Sequence, residues 1–177
     1  GVGDSPAWEA CDWQVLQRVG TGRLEYRTRC KSVWSDTGIY FLVDCEDTHL
    51  TCTLQEDFAN LFNEDVVEIF LQPDPTQRLY LEYEISPLGY ELPIMVPNDG
   101  DKFMGWRPWQ YGSARVVRRA VHVTGGGAKP SASCTGWSVE ILIPFALLQG
   151  LGRLPPTVGT QWRPNAYRID FDEAPPS

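Results

Sequence analysis

Two stretches near the middle of the chain set its hydrophobic rhythm. Residues 65–71 are rich in β-branched and large apolar side chains, and over residues 78–85 apolar and polar side chains alternate, so both read as β-strands whose side chains point to two faces in turn. In the first stretch Val66, Glu68 and Phe70 share one face, and Val67, Ile69 and Leu71 share the other. In the second, Tyr80, Glu82 and Glu84 lie opposite Leu79, Leu81, Tyr83 and Ile85. Between them runs Pro73-Asp74-Pro75-Thr76. Two prolines this close exclude a central strand and mark a turn. Glu68 stands apart because it falls between Val66 and Phe70. A carboxylate on such a face needs a partner, a ligand or water.

The same reading extends along the chain. Residues 1–23 are a lead-in whose Trp8, Trp13 and Leu16 cover an edge or an end of the core. Residues 24–34 alternate loosely, Ser35 to Gly38 turn, and residues 39–45 are almost wholly apolar, as in a central strand buried on both faces. Residues 54–64 hold one helical turn or a loop. Over residues 91–111 the pattern dissolves, which predicts a long loop carrying Trp106, Trp109 and Tyr111. Loops of this length are usually functional or mobile, and these rings either form a binding platform or plug one end of the core. Strands are expected at 114–123, 136–143 and 161–171, with Pro164 interrupting the last or placing it at a sheet edge. A short helix opens at Pro144 and runs over 145–150. The glycine-rich loop at 125–131 has no helix after it, so it does not cradle phosphate.

Short strands at hairpin spacing, without amphipathic helices, predict an all-β protein. It should be a single domain over residues 1–177, an antiparallel β-sandwich of two sheets, immunoglobulin- or jelly-roll-like, with one short helix. Ile39, Phe41, Val43, Val67, Ile69, Leu71, Val139 and Ile141 should fill its core.

Composition narrows the chemistry. The 177 residues include seven Trp, seven Tyr and seven Phe, and the net charge is −8. That balance opposes a nucleic-acid partner, which needs a basic patch. No apolar run approaches a membrane span. Cysteines stand at 11, 30, 45, 52 and 134. They are either small buried hydrophobes or they form one or two disulfides, with Cys45–Cys52 and Cys11–Cys30 in reach. Their spacing does not suit structural zinc. Asp44, Glu46 and Asp47 form an acidic strand end, read either as a solvated turn or as a calcium site built from hard oxygen ligands.

Four stretches taken in order resemble the family 9 carbohydrate-binding modules and their relatives in the DOMON-like β-sandwich group. They are IYFLVD from residue 39, LFNEDVVEIFLQP from 61, YLEYEISPLG from 80, and GWSVEILIPFALL from 136 followed by WRPNAYR from 162. The resemblance implies a non-catalytic module that stacks aromatic rings on sugar faces and bonds hydroxyls with polar groups. It also implies structural calcium in some members, association with xylanases or other glycoside hydrolases, and a secreted or periplasmic location. Phe62 matches the stacking position before the D-x-V-E strand, and Glu68 matches the Glu of that strand. Family members usually end with a further strand after a Trp-containing loop that supplies a second ring. The residues up to Ser177 include neither, either because a final strand lies beyond them or because this member closes differently, and Trp106 or Trp109 is the expected substitute. Tyr80, Glu82, Asn165 and Arg168 complete the candidate set, since sugars offer C–H faces to rings and hydroxyls to such groups. The expected partner is a plant-type or related polysaccharide such as xylan, bound by a monomer.

Three other classes stand beside this one. A glycoside hydrolase would draw two carboxylates from Glu68, Glu82, Glu84 and Glu140. A haem-binding relative would draw on Met95, Met104, His49 and His122, for which no spacing speaks. A protein-interaction domain would use the aromatic loop.

Overall fold

The computed structural model describes residues 1–171. Its strands are β1 (Gln14–Val15), β2 (Thr28–Trp34), β3 (Gly38–Cys45), β4 (Val66–Gln72), β5 (Leu79–Ile85), β6 (Glu91–Asp99), β7 (Lys102–Phe103), β8 (Arg107–Pro108), β9 (Arg118–Thr124), β10 (Gly136–Pro144) and β11 (Arg163–Ile169). One sheet runs β1-β2-β3-β10-β9, and the second runs β11-β4-β5-β6-β7 with β8 also on β6. Every pairing is antiparallel. The sheets face each other across Phe41, Val43, Val139 and Ile141 on one side and Val67, Ile69, Leu81 and Ile85 on the other. This is the expected all-β sandwich, and the alternation in β4 and β5 decides which side chains enter it. Of the expected core residues, Ile39 alone is only partly buried, at the outer end of β3.

The structure departs from the sequence reading in two elements. Residues 91–99 are a strand, not loop. Pro93 and Pro97 hid it, yet they do not interrupt its ladder with β5. Their carbonyls accept from the backbone of Trp109 and Met104 on the far side. In a strand a residue's N–H and C=O point the same way, so the missing N–H groups also face outward, where β7 and β8 are only two residues long. The short helix expected at 145–150 is a succession of turns, held by bonds such as Leu147 N–H to Pro144 and Leu148 N–H to Phe145. A segment that brief, closed by Gly150 and Gly152, cannot sustain helix nucleation.

All five cysteines are free, and four are buried. Burial pushes the thiols of Cys30, Cys45 and Cys52 up to about 12, so they are inert apolar fillers.

The outer face of the second sheet is partly roofed. Val66, Leu92, Ile94 and Val96 form a second, smaller apolar cluster with Leu61, and Phe58, Phe62 and Trp106 lie against it. Glu64 ties the crossing segment down. It is buried and accepts hydrogen bonds from the Thr53 amide (2.5 Å), the Leu54 amide (3.0 Å) and the Thr53 hydroxyl.

Candidate functional site

Register assembles a site on that outer face. Glu68 of β4 lies directly opposite Glu84 of β5 and Tyr167 of β11. One step along, Phe70 lies opposite Glu82 and Asn165. One oxygen from each of Glu68, Glu82 and Glu84 lies within 4.8 Å of the others. Glu84 is 0% exposed and Glu68 8%, and neither oxygen of Glu84 accepts a hydrogen bond. Among the described residues no ion pair involves any of the three.

Three carboxylates so close and so dry resist ionising together. Burial, and after it the charges of Glu68 and Glu82, push Glu84 up to about 9. The backbone amide of Phe62, close by but outside good hydrogen-bonding geometry, opposes this slightly. Burial and then Glu68 push Glu82 up to about 7, and burial raises Glu68.

Rings frame the acids. Phe62 and Trp106 meet edge to face, with centroids 6.2 Å apart and planes at 73°. Phe70 meets Tyr167 at 5.1 Å and Tyr80 at 6.0 Å. Phe62 is carried by a 3-10 turn, Leu61–Asn63, whose Leu61 is buried in the small cluster. Buried Leu61 and the Glu64 collar together set where that ring stands.

The structure brings Phe62, Glu68, Tyr80, Glu82, Trp106 and Asn165 to one face of one sheet. It takes Trp109 elsewhere: that ring packs against the main core. Arg168 is also elsewhere, because it pairs with Val67 and so falls on the opposite face from Glu68. Its guanidinium bonds Asp47 (2.7 Å), the Glu46 carbonyl (2.5 Å) and Asp170. Asp44 pairs with Arg29 (2.7 Å) and Glu46 with Arg27 (3.1 Å), so these two acids do not converge on Asp47. Asp47 instead lies within 4.8 Å of Asp65 and Asp170. Arg168 already supplies positive charge there, and Asp65 accepts the Thr51 and Phe171 amides at 2.6 and 2.8 Å. The acid set expected to hold calcium therefore does not fit that ion.

Glu140 sits on the first sheet, where it accepts from the Trp8 indole at 2.8 Å, away from the other three glutamates. Of the residues a haem-binding relative would use, Met95 is in the core, Met104 is exposed, His122 lies on β9 of the other sheet, and His49 forms an isolated bridge with Ser133. Glu84, Phe70 and Tyr167 belong to the face but are missing from the candidate set drawn from sequence. Strand alternation placed Glu84 beside Glu82 and Phe70 beside Glu68. What it could not give was the roof that turns a solvated face into a dry one.

The chain matches the family model described as "Carbohydrate family 9 binding domain-like" over residues 1–161. None of the curated proteins compared matches it. Among solved structures it is similar to a candidate carbohydrate-binding protein from Bacteroides uniformis, at 15% identity and a TM-score of 0.72, covering 92% of this chain and 72% of that one. It is also similar to a family 9 carbohydrate-binding module from Caldicellulosiruptor kristjanssonii in complex with cellotriose, at 17% identity and a TM-score of 0.62, covering 95% of this chain and 70% of that one. The glucose complex of a family 9 module from that organism gives 16%, 0.63, 95% and 71%. At such identities the likeness speaks for the fold.

Proposed function

Because this chain belongs to the carbohydrate family 9 binding domain-like family, we propose that it is a non-catalytic sugar-binding module whose site is the outer face of the second sheet. Phe62 and Trp106 give a ring surface for the C–H face of a pyranose, and Glu68, Glu82, Tyr80 and Asn165 take its hydroxyls. The observation that carries this reading is the Phe62–Trp106 pair standing beside carboxylates that have no protein partner. Cellotriose and glucose, the sugars of the two similar complexes, are the first ligands to try, with xylan fragments next. Attachment to a glycoside hydrolase and a secreted or periplasmic location belong to the same proposal.

Release of sugar from xylan or glucan would separate a hydrolase from a binding module. Titration calorimetry with cellotriose and xylotriose tests the reading. Phe62→Ala and Trp106→Ala should each weaken binding by about 0.5–1.5 kcal/mol. Unchanged affinity in both variants would move the site off this face.

A further inference from the structure

We propose that the ligand of this face carries an ammonium group, and that it is a glycan containing unacetylated amino sugars. The inference rests on the sugar-binding reading above and names the ligand class for that site. Three observations carry it. Glu68, Glu82 and Glu84 converge within 4.8 Å. Glu84, fully buried, places one oxygen in that cluster, and neither of its oxygens accepts a hydrogen bond. No arginine or lysine among the described residues pairs with any of the three.

A neutral sugar answers this arrangement poorly. Its hydroxyls can donate to carboxylates, but they bring no charge to offset the repulsion and burial that keep the three acids from ionising together. An ammonium group has three donors, no acceptor and one positive charge. A nitrogen holding three carboxylate oxygens at about 2.8 Å sets them roughly 4.6 Å apart, which the spacing here accommodates.

A bare divalent ion fits less well. Calcium takes six to eight oxygens. Strands β4 and β5 are each paired on both sides, so their backbone carbonyls are committed to the ladders and oxygen ligands would have to come from side chains alone. An amino sugar uses both halves of the site at once, with a C–H face for Phe62 and Trp106 and an ammonium for the glutamates. Rings beside a cation add further attraction.

The test compares three trimers by calorimetry near neutral pH in EDTA: the β-1,4-linked glucosamine trimer, its fully N-acetylated form, and cellotriose. The glucosamine trimer should bind at least about tenfold tighter than cellotriose, and the acetylated trimer, which lacks the charge, should show no such gain. Glu84→Gln should reduce the ratio of glucosamine to cellotriose affinity to a few-fold. If that variant does not fold, Glu82→Gln reads the same ratio. Equal affinity for all three trimers overturns the ammonium inference and leaves the sugar-binding reading standing. If no trimer binds, both fall. If cellotriose binds only after calcium is restored, the glutamates hold a metal and the inference is overturned.

Discussion

At the scale of single residues, the free energy of Glu84 runs against the fold. Its carboxyl, with an ordinary value of 4.5, is pushed up to about 9 in the folded chain. Between those values the folded state keeps a proton that the unfolded state has released. Stability is therefore fullest below about pH 5 and falls as pH rises toward 9. Glu82 and Asp65, each pushed up to about 7, act in the same direction over the lower part of that window. Urea denaturation across this range should show a loss on the order of a few kcal/mol. Glu84→Gln should flatten the curve and be more stable than the parent at the alkaline end. An unchanged slope would mean that Glu84 is ionised or solvated in the folded chain. Arg168 is the opposite case, a buried cation among Asp47, Asp65 and Asp170. Arg168→Met should destabilise by about 3–5 kcal/mol by leaving buried charge uncompensated. Calcium should not raise the melting temperature of the parent, since a ligand specific for the folded state would have to do so.

At the scale of elements, the sequence was clearest where period and chemistry agreed. Strands β4 and β5 could be read to within a residue or two, because the first is a run of β-branched and large apolar residues and the second alternates. Glu68 could be singled out because it broke an apolar face. Strand β6 was illegible because two prolines argue against any central strand, and only the partner on each side shows that their missing donors face outward. The segment that carries Phe62 was ambiguous for another reason. Its order comes from Glu64 accepting amides eleven and ten residues back, a contact that no local pattern announces. That contact gives a test specific to the element. Glu64→Ala should release the crossing segment and unseat Phe62. Sugar affinity should fall at least as far as in Phe62→Ala, and the amides of residues 53–64 should lose protection in hydrogen exchange. Protection unchanged at those amides would show that the small apolar cluster alone holds the segment in place.

At the scale of the whole molecule, the two faces of the second sheet do different work, and strand periodicity keeps them separate. The inner face holds the sheets together through Val67, Ile69, Leu71, Leu81 and Ile85, all fully buried. The outer face is given to acids and rings. It tolerates a carboxylate like Glu84 because the inner face supplies the cohesion. Adjacent residues on β4 should then answer two different experiments. Ile69→Ala leaves a cavity between the sheets and should destabilise by about 2–5 kcal/mol. Measured well below its midpoint, where the chain stays folded, that variant should bind sugar as the parent does. Phe70→Ala removes a half-buried ring that touches Tyr80 and Tyr167. It should cost the fold less than Ile69→Ala, because the change borders solvent, yet it should weaken sugar binding by about 0.5–1.5 kcal/mol. Paired denaturation and calorimetry on the two variants would check this. If Ile69→Ala lost affinity while folded, or Phe70→Ala lost stability without affinity, the two faces would not be separable and the site would have to include the space between the sheets.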